Sequence, residues 1–202
     1  MSEHAQHHHE HDEHEHDHEH DDVELREEAE ADARRRLALA QIRQYPDPSL
    51  RLKAHEVADF DDDLRRLASR MIDLMHDARG VGLAATQVGV LRRLFVFQPD
   101  PEQEADAVVN PVIVERGDET ASEAEGCLSL QGVSVPVERA TRIVLEGKDP
   151  NGDDVRYELD GYAARVAQHE LDHLDGVLMF DRTDEEHRKE ALSILRPRVV
   201  LR

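Results

Sequence analysis

The chain has 202 residues, with 46 acidic side chains against 25 basic ones and a formal net charge of -21. That balance excludes broad electrostatic binding to DNA or to an anionic membrane, which needs clustered Lys and Arg, and no apolar run approaches the roughly 18 residues of a membrane span. A single cysteine excludes an intrachain disulfide and points to a reducing, cytoplasmic setting.

Residues 1–22 hold nine of the 14 histidines and nine of the 46 acidic residues, with no Lys or Arg. So polar a stretch cannot bury enough surface to order itself, and we expect a disordered tail. Residues 23–44 start charged and turn apolar at Leu37, Leu39 and Ile42. They read as a charged linker or fraying helix leading into one folded domain over residues 45–202. Leu64, Leu67, Met71, Leu74, Met75 and Ala78 recur at three- and four-residue steps, which predicts a helix from about Asp62 to Arg79. Asp61 or Asp62 suits its N-cap, and Gly80 suits a left-handed position past its end. Strands are expected at Leu94–Gln98, Val108–Val114, Arg142–Glu146 and Val155–Leu159. A second helix runs from Asp160 or Gly161 to Leu174, closed by Asp175-Gly176. A last helix starts at Thr183 with a Thr183-x-x-Glu186 capping box and stops before Pro197. Strands grouped between helices, without strict alternation, argue for α+β.

His169-Glu170-Leu171-Asp172-His173 is an H-E-x-x-H motif on the second helix. Residues four apart share a helical face, so His169 and His173 can reach one metal ion together. Glu170 beside them is placed to accept a proton from an attacking water. An exposed polar helix that matches by chance is the competing reading, and the apolar flanks Ala163, Val166 and Leu174 disfavour it. A catalytic metal site needs a third protein ligand and an open fourth position. Cys127, in Glu125-Gly126-Cys127-Leu128-Ser129, would complete one as a thiolate, although a lone Cys is more often a small buried apolar residue. Spacing alone does not join it to the helix. The run Gly80-Val81-Gly82-Leu83-Ala84-Ala85-Thr86-Gln87 lets backbone approach a ligand closely, and Gln87 can donate from its amide. Ordinary tight packing is the alternative there.

In this order and at these separations, GVGLAATQ, EGCLS and QHELDH resemble the three signature motifs of bacterial peptide deformylase. The likeness extends from about Leu39 to Arg182. It implies mixed or antiparallel strands around a central helix that carries the HExxH motif. It also implies one divalent metal ion on Cys127, His169 and His173: Fe(II) foremost, with Zn(II), Ni(II) or Co(II) as substitutes. Glu170 would then be general base and later acid, Gln87 and Leu128 would stabilise the oxyanion, and the Gly82 backbone would lie alongside the substrate. The implied activity removes the N-formyl group from formyl-methionyl nascent polypeptides and releases formate. In relatives a C-terminal extension can contact the ribosome near the exit tunnel; here Arg188, Lys189, Arg196, Arg198 and Arg202 are the basic residues that would do so. Arg139 and Asp172 are expected to orient Glu125 or a ligand histidine, against the alternative of an ordinary surface ion pair. The rival functions are another amidase or metalloprotease with the same HExxH apparatus, and a metal-storage protein whose tail is the active part.

Two positions depart from the family pattern. Thr86 stands where GLAAPQ has proline, and Gln131 where CLSxPG does. Neither supplies a catalytic atom, but each is expected to loosen the loop that positions Gln87 or Leu128. The tail lies outside the resemblance. His14, His16, His18 and His20 alternate with carboxylates, a composition that suits divalent metals, so the tail is either a metal buffer or a solvated extension. Free histidine titrates near pH 6.5 and metal binding needs neutral imidazole. We therefore expect several weak tail sites, lost as the pH falls to about 6, and one tight site that persists. Titrating the full chain and a 1–22 deletion with Zn(II) or Ni(II) at about pH 7.5 and about pH 5.5 checks this. Equal metal equivalents for both proteins at the higher pH would make the tail a solvated extension.

Overall fold

In the computed structural model, which describes residues 13–195 and side chains from residue 25 onward, the architecture follows from one short apolar run. Leu94-Phe95-Val96-Phe97 has no polar alternation because it is buried on both faces. Leu94 and Val96 join a cluster with Leu64, Met71 and Met75 of the first long predicted helix. Phe95 and Phe97 join a second cluster with Ala164, Ala167 and Leu174 of the motif helix. Successive strand residues point to opposite faces, so this one strand seats a helix on each side.

Among the described residues, seven strands occur in chain order: β1 (Gly82–Ala84), β2 (Leu94–Phe97), β3 (Asp106–Arg116), β4 (Thr120–Gly126), β5 (Ser134–Ala140), β6 (Arg142–Lys148) and β7 (Asp154–Asp160). Five form an antiparallel sheet in the order β1-β2-β3-β6-β7, and β4 and β5 form a separate antiparallel pair. The helices are α1 (Glu13–Gln41), α2 (Asp62–Asp77), α3 (Gly161–Leu174) and α4 (Glu185–Leu195). The class is α+β, as expected. α3 carries the HELDH motif and contacts strands of both sheets.

Several boundaries depart from the sequence pattern. The α1 helix begins at Glu13, so the backbone of residues 13–22 is helical where composition predicts a disordered tail. No Gly or Pro interrupts it, and Glu, Ala, Arg and Leu are good helix formers. Its far end is not a linker, because Ala38 and Ile42 are buried in the core against α2. The histidines at 4–11, Arg196, Arg198 and Arg202 lie outside the described residues, and so do the side chains of the tail's remaining histidines.

In α2, Asp61 caps the N-terminus by accepting from the Leu64 N–H at 2.9 Å. At its other end the left-handed residue is Arg79 (φ 57°), not Gly80. Gly80 answers a different need: a Cβ there would lie 2.7 Å from Leu128 Cδ1. The last helix is capped by Asp184, which accepts from the His187 N–H at 2.9 Å, rather than by Thr183. The sequence pattern misses β1, β4 and β5. Thr120–Gly126 reads TASEAEG, rich in residues that are poor strand formers, and it is a strand only through its pairing with β5.

Two glycines separate backbone strain from steric demand. Gly176 (φ 74°) has the Arg51 carbonyl oxygen 2.6 Å from where its Cβ would sit, whereas Gly161 (φ 52°) has open space there. Gly161→Ala should cost about 1 kcal/mol for the left-handed conformation alone. Gly176→Ala should cost at least about 1 kcal/mol more, because backbone has to move. Urea denaturation of both variants reads the difference, and equal midpoints would refute it.

Candidate metal centre

Helical spacing builds one wall of the site. Arg165, His169 and His173 recur every fourth residue on α3 and stand on one face, with Arg165 and His173 buried and His169 half-buried. The hairpin of β4 and β5 presents Cys127 to that face, just after β4 ends. Cys127 Sγ lies 3.2 Å from His173 Nε2, and donor atoms of Cys127, His169 and His173 all lie within 4.8 Å of one another. The structure therefore makes the junction that spacing leaves open.

Beneath the histidines lies a buried ionic cluster. Glu125, 4 % exposed, accepts from His169 Nδ1 at 2.9 Å, which turns the other ring nitrogen of His169 toward Cys127 and His173. Arg139 grips Glu125 with two hydrogen bonds, at 2.9 and 3.0 Å, and Arg165 adds a third at 2.8 Å. Arg139 also donates to Asp172 at 2.6 Å, and Arg182 donates to the same carboxylate at 2.7 and 3.1 Å. Burial alone would raise the Glu125 pKa, but the His169 and Arg139 hydrogen bonds outweigh it and hold the carboxyl at about 2. Burial pushes Glu170 up to about 7. It also drives His173 well below its ordinary value, helped by His169, while His169 rises against its own burial through Cys127 and Glu125.

Glu170 reaches back under β1. A Cβ at Gly82 would sit 2.3 Å from Glu170 Oε1, so only glycine leaves room for this carboxylate. Glu170 Oε2 and His173 Nδ1 are both buried, and neither has a hydrogen-bond partner among the described residues. The group opens into a cleft of about 470 Å³ lined in part by Gly82, Gln87, Cys127, Leu128, His169 and Glu170.

Gln87 is fixed at both ends of its amide. Its Oε1 accepts from the Ala84 N–H at 2.8 Å, and its Nε2 donates to Ser129 Oγ at 3.1 Å and to Cys127 Sγ at 3.6 Å. The Leu128 N–H has no hydrogen bond among the described residues, while the Leu128 carbonyl accepts from Gln44 at 3.0 Å. Thr86 does not loosen its loop. It is fully buried and donates to the His173 carbonyl at 3.1 Å. Gln131 is exposed at the cleft. Residues 43–45, expected within or beside a linker, join both loops: the Arg43 N–H donates to the Gln87 carbonyl at 2.7 Å, and the Tyr45 N–H to the Ser129 carbonyl at 2.9 Å.

The donor set fits a divalent cation. A tetrahedral site with bonds of about 2.0–2.3 Å needs donors roughly 3.4–3.7 Å apart, a small adjustment from the separations found. The unpartnered Glu170 Oε2 suits a water molecule beside such an ion. Sequence reasoning misses Arg165, Arg182 and Gln44. Arg165 carries a signal, since it stands four residues before His169 on the same face.

A Cys-His-His donor set at the foot of a cleft, beside a buried unpartnered carboxylate on an α+β scaffold, is the arrangement of a metal-dependent hydrolase. Residues 39–189 match the family model of polypeptide deformylase. Peptide deformylase 1 of Corynebacterium glutamicum is 44% identical over 162 residues, covering 79% of this chain and 96% of the relative. A Thermotoga peptide deformylase is 47% identical over 148 residues, covering 73% and 89%. The crystal structure of peptide deformylase from Thermus thermophilus superposes with a TM-score of 0.71 at 46% identity, covering 76% of this chain and 91% of that one. The chain belongs to the peptide deformylase family.

Glu125→Gln keeps the shape but removes the charge that orients His169. Loss of such an orienting partner should weaken Zn(II) binding roughly 10- to 100-fold. Competition with a chelator of known affinity measures this, and unchanged affinity would show that His169 is oriented without Glu125.

Proposed function

We infer that this chain removes the N-formyl group from the N-terminal formyl-methionine of newly synthesised polypeptides and releases formate. One observation carries the reading: Glu170, with its unpartnered Oε2, lies beside the gathered Cys127, His169 and His173 on a cleft bordered by β1. β1 is the terminal strand of its sheet, so an extended peptide can add along it past Gly82.

A divalent cation held by Cys127, His169 and His173 would acidify water and polarise the formyl carbonyl. Glu170 accepts the proton of the attacking water, and its raised pKa lets it pass that proton to the departing amine. The Leu128 N–H and the Gln87 amide donate to the formyl oxygen as negative charge develops there. The carbon–nitrogen bond breaks, leaving formate and a free α-amino group. Thiolate and imidazole donors suit Fe(II) and Zn(II) alike, and the family resemblance favours Fe(II). A site that needs a free thiolate suits the cytoplasm. For contact with the ribosome, the support is the exposed α4 with Arg188 and Lys189, whose charges are partly met by Asp181 and Glu185.

Anaerobic purification with elemental analysis, paired with a formate-release assay, tests the reading. Formyl-Met peptides should release formate, and acetyl-Met or unformylated peptides should give no product. Glu170→Gln should keep its metal and lose at least about 10²-fold in kcat. Near-normal turnover by a metal-replete variant would remove Glu170 from the mechanism.

A further inference from the structure

The matched family span begins at Leu39, so most of α1 precedes it. Yet Arg35 and Leu39 of α1 line the cleft, beside Arg79, Gly80, Val81 and Gly82. We propose that Arg35 and Arg79 form a carboxylate-binding mouth that favours substrates with Asp or Glu a few residues after the formyl-methionine. This rests on the deformylase reading and adds a specificity to it.

Two guanidinium groups at the mouth stand out in a chain of net charge -21. The Arg35 Nε donates to the Ala78 carbonyl at 3.4 Å, which holds the side chain over the end of α2. Its two terminal nitrogens have no protein acceptor among the described residues, and a guanidinium with open donors matches a carboxylate. Arg79 pairs with Asp32 at 3.1 Å, but both side chains are more than half exposed, so a substrate carboxylate exchanges for Asp32 at little cost.

The chain itself sets the reach. Gly82 adjoins Glu170 at the start of β1, and Arg79 lies three residues back, in the turn that ends α2, where it lines the same cleft. A peptide with its formyl group beside Glu170 that runs along this cleft therefore meets Arg79 and Arg35 with a residue downstream of the methionine. A carboxylate there comes from a side chain or from the end of a short peptide, and we assign the side chain.

The experiment uses the metal-loaded full chain and C-terminally amidated formyl-Met peptides, with Glu or Gln at each of positions two to five, and the neutral Gln peptides with a free C-terminus beside them. Wild type should favour Glu over Gln roughly three- to fivefold in kcat/KM at one of these positions, through KM, as an exposed charge pair allows. The preference should shrink at about 0.5 M salt. It should fall in Arg79→Ala and reverse in Arg35→Glu. Because each ratio is taken within one preparation, the folded fraction cancels. A ratio of one at every position, or the wild-type ratio retained in Arg35→Glu, overturns the proposal while leaving the deformylase reading intact. A gain seen only for neutral short peptides with a free rather than amidated C-terminus overturns the side-chain assignment. No formate from any peptide overturns both readings.

Discussion

A carboxylate buried beneath the Cys127-His169-His173 group holds the two halves of the site together. Glu125 comes from the small sheet and His169 from α3, and no covalent or sheet connection joins those elements at that point. A lone buried carboxylate would cost several kcal/mol, so the fold is committed to surrounding it with Arg139, Arg165 and His169. The three grips also fix the ring of His169, and with it the donor that faces the cleft. Asp172 completes the set by holding the far side of Arg139. Because the folded pKa of Glu125 lies near 2, below its ordinary 4.5, its contribution to stability is fully present above about pH 4.5. It is lost as the pH falls toward 2.

The second constraint is the join between loops. Residues 43–45 lie beyond α1 and donate to carbonyls of both the Gln87 turn and the Cys127 loop. Where the family pattern has proline, a rigid φ would limit the Gln87 loop. Here the Thr86 hydroxyl limits it by bonding α3 at His173. The two devices differ in chemistry and share a consequence, which is that the glutamine amide keeps its direction.

Much of this is legible in the sequence. The periodicity of α2 marks its buried face, and four-residue spacing puts His169 and His173 together. Only the resemblance to the family's three motifs sets Cys127 beside them, since spacing leaves that junction open. What escapes has a common cause, in that each missed feature is made by contacts distant in sequence. β4 is strand only through β5, Arg165 is a site residue only through Glu125, and Gln44 only through the Leu128 carbonyl. Local grammar makes Gly80 a helix stop, whereas its smallness serves Leu128, a residue in another loop. For residues 23–44 the sequence leaves linker and helix open for the same reason, and the structure makes them helix as far as Gln41. Composition shows the charged start of the segment, but burial of Ala38 and Ile42 depends on α2.

The three motifs are therefore one set of contacts, cut into pieces by chain order. Gly80 is small because Leu128 fills the space its Cβ would need, and Gly82 because Glu170 does. Gln87 donates to Cys127 and Ser129 of the second motif, and Thr86 to His173 of the third. Each segment supplies the room or the partner that another segment's functional atom requires. One segment alone is therefore weak evidence, since glycine-rich turns, lone cysteines and HExxH helices each occur for other reasons. Together they specify a single geometry: the first segment leaves the space that Glu170 occupies and holds the second through Gln87, and the second holds the third through Glu125 and His169.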